Sequence, residues 1–117
     1  MVPSERVYFK STPLDSPLVW AVFIRDEGFL GAGTYTHLFI NGEHAAALDV
    51  GERLELQLAP GEYIFGVKPT DPLGLHSILS IDQQLQAGKR YYYRIVVVGP
   101  TAGATRIQRF YPDVTKP

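Results

Sequence analysis

Along the 117 residues, apolar side chains recur mostly at every second position. No window holds them at i, i+3, i+4 and i+7 for three turns of a helix. A period of two sends successive side chains to opposite faces of a strand. The pattern therefore predicts an all-β chain.

Turn signals divide that pattern into strands. Residues 18–25 (LVWAVFIR) are apolar on both faces, which suits a central strand covered on both sides or one whose outer face meets something else. A long loop, 26–35, follows. Residues 37–40 and 43–50 flank Asn41-Gly42, the pair best suited to a type I′ hairpin turn because both central residues need positive φ. Across a two-residue turn Ile40 faces Glu43, Phe39 faces His44 and His37 faces Ala46. Residues 53–58 alternate, with Leu54, Leu56 and Leu58 inward. Ala59-Pro60-Gly61-Glu62 reads as a type II turn leading into 63–68, a second hairpin. A loop rich in Pro and Gly precedes a strand at 77–85. Ala87-Gly88-Lys89 then turns the chain into 90–98, and a last strand spans 105–110. About eight strands joined mostly by short turns describe an antiparallel β-sandwich built of meander-like hairpins.

Composition adds bounds. Eleven Gly and nine Pro fit a chain of many turns. The length suits one domain over 1–117, with loose ends expected near 1–5 and 112–117. With no cysteine, a disulfide framework, a zinc ribbon and a thiol nucleophile are excluded. The longest apolar run, 18–24, is far short of a membrane-spanning helix. A net charge of −1 argues against a dedicated nucleic-acid binder. That sum hides an asymmetry. Residues 1–82 carry eleven acids and five bases, and residues 83–117 carry one acid and six bases. Either the basic C-terminal strands lie beside acidic earlier ones, or they form a basic binding face.

Candidate chemistry is sparse. The neighbours His76 and Ser77 would point to opposite faces of a strand, so they do not form a nucleophile and base. The same geometry weakens Asp26-Glu27 as a pair of glycosidase carboxyls. The Gly-rich stretch 28–34 lacks the Gly-Lys-Ser/Thr and the following helix of a phosphate loop. No cofactor is expected. His37 and His44 share a face, but no third ligand is placed beside them, so no metal is expected.

Two binding surfaces stand out. The loop 26–35 carries Phe29, Leu30 and Tyr35 among glycines, a composition suited to contact with a partner or to capping an end of the sandwich. In the tyrosine run, alternation sends Tyr91, Tyr93, Ile95 and Val97 to the core and Arg90, Tyr92 and Arg94 to the other face. An aromatic between two guanidinium groups suits an anionic glycan, a lipid head group or an acidic protein surface. The alternative is structural: the arginine stems pack on Tyr92 and their charges pair with Glu55 or Glu62.

The segments LFINGEHAAALDVGERLELQLAPGEYIFGV and LQAGKRYYYRIVV carry a resemblance through Asn41-Gly42, Gly51, Pro60-Gly61-Glu62-Tyr63 and the AGKRYYYR stretch from Ala87 to Arg94. Over roughly residues 18–110 the chain resembles an uncharacterised family of small bacterial envelope lipoproteins related to PEGA-type β-sandwich modules. The resemblance implies a sandwich fold and a lipid-anchored, periplasm-facing location after a cleaved signal. It implies no catalytic residue. The acylated cysteine of such lipoproteins is not among the 117 residues.

The expectation is a non-enzymatic envelope module, a monomer that acts by contact with another envelope protein. A carbohydrate-binding module is the alternative, ranked lower because the single Trp20 lies in an apolar strand whereas sugar platforms use exposed aromatics.

Overall fold

The computed structural model describes residues 1–9, 18–26, 35–70, 78–96 and 105–110. Among these described residues eight strands form in chain order: β1 (Val19–Arg25), β2 (Thr36–Ile40), β3 (Glu43–Leu48), β4 (Arg53–Leu58), β5 (Gly61–Pro69), β6 (Leu79–Leu85), β7 (Arg90–Val96) and β8 (Arg106–Phe110). They make two four-stranded sheets, β4-β1-β7-β8 and β3-β2-β5-β6. The chain is an all-β sandwich. Among the described residues no helix is long and apolar enough to cross a membrane.

Alternation builds the core between the sheets. Leu54, Leu56 and Leu58 of β4 and Tyr91, Tyr93 and Ile95 of β7 are buried on the inner side, as the period-two pattern requires. They meet Leu38 and Ile40 of β2 and Phe65 and Val67 of β5. At the centre Phe23 packs edge-on to Phe65 at 5.1 Å and stacks on Tyr93 at 5.3 Å, and Phe65 meets Tyr93 at 5.0 Å.

Three expectations are corrected. The Pro60-Gly61 turn does not close a hairpin: β4 pairs with β1 in one sheet, and β5 pairs with β2 and β6 in the other. Gly61 does carry positive φ (144°), but turn chemistry redirects a chain without choosing the sheet it enters. Strands with apolar residues at every second position pack across a core as readily as they pair side by side. The turn at Gly88 (φ 79°) likewise leads from β6 in one sheet to β7 in the other. The meander thus gives way to repeated exchange between sheets. Second, β1 and β7 run parallel, while the five other strand pairs are antiparallel.

The third correction is a bulge. Asn41 (φ 51°) and Gly42 (φ 83°) make the expected turn, and Phe39 faces His44. Beyond that pair the register shifts, so Leu38 faces Ala46 and His37 faces Ala47. Ala45 is the extra residue, and its carbonyl accepts the N–H groups of Tyr8 and Phe9 at 2.7 and 3.1 Å.

The start of the chain bonds to the sandwich. Val2 is buried and its N–H reaches the Arg53 carbonyl at 3.0 Å. After a 3₁₀ turn at Ser4–Arg6, Val7 bridges to Ala46. The Arg6 guanidinium holds Glu52 with both nitrogens, at 2.6 and 2.7 Å, and also reaches the Ala47 carbonyl at 2.9 Å. Apolar packing by Val2, Val7 and Phe9 and one bidentate arginine thus anchor a segment that composition marks only as Pro-containing.

Candidate functional site

The outer face of β4-β1-β7-β8 is ordered in rows by strand register. Trp20 lies between Gln57 and Arg90. Val22 lies between Glu55 and Tyr92, with Phe110 beyond, and Ile24 lies between Arg53 and Arg94. Period two in β7 brings Arg90, Tyr92 and Arg94 to this face together, as expected from the sequence. Parallel pairing with β1 then sets the residues of the apolar strand beside them. The double-sided apolar character of β1 is explained by this placement: its inner residues enter the core, and its outer residues Trp20, Val22 and Ile24 support the arginine-bearing strand.

The arginines behave differently from one another. The Arg90 guanidinium lies 5.2 Å from the Trp20 ring centroid, a cation–π arrangement, and no acid pairs with it among the described residues. Arg94 is ion-paired: its Nε and Nη2 donate to the two carboxylate oxygens of Asp26 at 3.0 and 2.8 Å. Its guanidinium also lies 5.9 Å from the Phe110 ring, which meets Tyr92 edge-on at 5.9 Å.

The acid partners expected from the sequence are therefore corrected. Glu55 accepts from Arg53 Nε at 2.8 Å, and Glu62 lies on β5 in the opposite sheet. Asp26, directly after β1, takes the role instead. A cavity of about 330 Å³ opens beside this pair, lined by Ile24, Arg25, Asp26, Gly51 and Arg94. Arg25 is fully buried there and donates from Nη1 to the Leu48 carbonyl at 2.9 Å.

The other candidate surface divides. Phe29 and Leu30 lie outside the described residues, as do His76, Ser77 and the Gly-rich stretch 28–34. Tyr35 is exposed, and its ring lies 4.6 Å from the Arg6 guanidinium. It therefore belongs to the end of β2, beside the N-terminal anchor.

His37 and His44 meet in spite of the bulge. Thr70 Oγ1 donates its one hydrogen to the Tyr35 carbonyl at 2.9 Å, so it accepts from His37 Nε2–H at 3.1 Å. That assigns the neutral tautomer of His37, whose Nδ1 accepts from His44 Nε2–H at 3.0 Å. Tyr8 and Phe39 flank the His44 ring at 4.7 and 5.2 Å. No third His, Asp or Glu joins the two imidazoles among the described residues.

Burial holds the His37 imidazole below the usual histidine value, helped by the positive charges that His44 on β3 and Lys68 on β5 bring near it. The unfolded chain takes up this proton at a higher pH than the folded one. Stability from His37 is thus complete above the ordinary histidine value and is lost as pH falls below it. Thermal melts at about pH 7.5 and about pH 5.5 should show a larger drop for the wild-type protein than for His37→Gln. Equal drops would contradict the buried neutral state.

No protein-family model matches the sequence, and no curated protein matches it significantly. The chemistry of the site therefore rests on its own residues. It offers a broad sheet face with the guanidinium groups of Arg90, Arg94 and Arg53, the last two tied to Asp26 and Glu55, and with three aromatic rings.

Proposed function

We propose that this chain is a non-enzymatic binding module of the bacterial cell envelope, held by a lipid anchor outside these 117 residues, and that it acts as a monomer by contact with another envelope protein. The contact surface is the outer face of β4-β1-β7-β8. The observation that carries this reading is the convergence of Trp20, Arg90, Tyr92, Arg94 and Phe110 on one sheet face. Aromatic residues and arginine are enriched where protein surfaces meet, because rigid rings and planar guanidinium groups bury area at small entropic cost. The envelope location rests on the family resemblance alone. The non-enzymatic reading is supported by the structural employment of the charged groups, with Arg6 on Glu52, Arg53 on Glu55 and Arg94 on Asp26.

A second reading, a carbohydrate-binding module, is favoured by Trp20. The chain's single tryptophan lies on the outer face and is only half-buried, with a guanidinium over its ring. A ring so placed can stack on a sugar while Arg90 pairs with an anionic substituent.

The test is the double variant Arg90→Ala and Tyr92→Ala, neither of which touches the central core. It should melt within a few degrees of the wild-type protein and lose capture of envelope proteins in a pull-down. Loss of binding to envelope glycans alone would move the function to the second reading. Unchanged capture of both would remove this face from function.

A further inference from the structure

The four sheet edges are treated unequally. The N-terminal segment bonds to β3 through the Ala45 carbonyl and to β4 through the Arg53 carbonyl. The edge strand β8 is short, five residues, and carries Arg106 and Arg109. Short length, charge and a covering segment are the devices by which sheets avoid pairing with foreign strands. The edge strand β6 carries one charge, Asp82, and β8 of the other sheet packs near it, but among the described residues no strand pairs with its outer edge. It runs seven residues, LSIDQQL, in unbroken register with β5, with no Lys, no Pro and no bulge. Among the described residues no backbone group bonds to it from the side away from β5.

The surface beside β6 has a defined chemistry. Its ladder with β5 pairs Glu62 with Gln84 and Ile64 with Asp82, and Asn41 continues the second row through a hydrogen bond from the Ile64 N–H at 2.9 Å. These residues line a depression of about 550 Å³ that holds two carboxylates and no cation. Ile64 and Leu79 are 48 and 45% exposed.

We propose that the β6 edge accepts an extended, basic segment of a partner protein as a fifth strand of β3-β2-β5-β6, with alternate Lys or Arg side chains over Glu62 and Asp82. Main-chain hydrogen bonds to an open edge supply affinity, and alternate side chains supply choice. The two carboxylates select a basic occupant. A second copy of this chain is disfavoured, because two-fold pairing of β6 with itself sets both Asp82 carboxylates on one face of the shared ladder. This surface lies on the sheet opposite to the aromatic and arginine face, so the two assignments stand or fall separately.

The experiment is an amide NMR titration of the whole chain with an acetylated, amidated heptapeptide of alternating Lys and Val. The charge-reversed Glu and Val heptapeptide serves as control. The Lys peptide should shift the amides of residues 79–85 in a saturable way and the Glu peptide should not. Asp82→Lys should weaken binding about tenfold or more. Neighbouring strand residues point their N–H groups to opposite sides, so of Ser80→Pro and Ile81→Pro one leaves the β5 ladder whole; that folded variant should lose the peptide. The proposal is overturned if low-millimolar Lys peptide leaves residues 79–85 unmoved, if both peptides bind equally, or if the folded proline variant binds as the wild-type protein does. Concentration-dependent dimers abolished by the same proline would also overturn it, by placing a second copy at the edge.

Discussion

Phe23→Ala is expected to cost about 3 to 5 kcal/mol of folding stability, read as a fall in the midpoint of urea unfolding. Phe23 is fully buried, and its ring is the one that touches both Phe65 of the opposite sheet and Tyr93 of the neighbouring strand. Removing it opens a cavity where side chains of β1, β5 and β7 meet, and flanking β-strands held by backbone ladders cannot collapse to fill it. Tyr93→Phe separates packing from polarity. It keeps the stack on Phe23 and removes the hydroxyl that donates to Gln83 Oε1 at 3.1 Å, so it should cost about 1 kcal/mol. A loss below about 1 kcal/mol for Phe23→Ala would mean that the two sheets are not held through this trio.

Glu52→Gln should cost about 1 to 2 kcal/mol at neutral pH, toward the low end for a charge-assisted bond because both partners are about a fifth exposed. The Arg6 guanidinium, with both nitrogens on the carboxylate, holds Glu52 below the usual glutamate range, and the backbone N–H of Asp49 at 2.7 Å adds to this. The unfolded chain binds the proton more readily than the folded one. Stability from this group is complete above the ordinary glutamate value and is lost as pH falls through the depressed one. Between roughly pH 5 and pH 3 the wild-type protein should therefore lose more stability than Glu52→Gln. Parallel loss in both would place the acid sensitivity elsewhere.

How much of this was legible in the sequence depends on the range of each interaction. Asn41-Gly42 could be read because the constraint, positive φ at two successive residues, is local. The inward faces of β4 and β7 could be read because a period of two is local as well. The choice of sheet after Pro60-Gly61 could not, since both destinations bury Leu56 and Phe65 equally well. The bulge at Ala45 was hidden in a run of alanines, any one of which fits the inner face. For the site, the joint exposure of Arg90, Tyr92 and Arg94 followed from alternation. Their partners did not: Asp26 is 68 residues from Arg94 in the chain, and Trp20 meets Arg90 only through a parallel pairing that no turn signal announces. The apolar outer side of residues 18–25 was the available clue, since a strand of that kind must be covered on both faces.

The central claim is that the outer face of β4-β1-β7-β8 is the contact surface, and Trp20 reports on it directly because it is the only tryptophan in the chain. Protein labelled with 5-fluorotryptophan therefore gives a single fluorine NMR resonance, located beneath Arg90. Titration with a solubilised envelope fraction, and separately with purified envelope glycans, should shift or broaden this resonance, and Arg90→Ala should abolish the response. A Trp20 resonance that stays fixed while sedimentation shows the protein bound to envelope components would contradict the account.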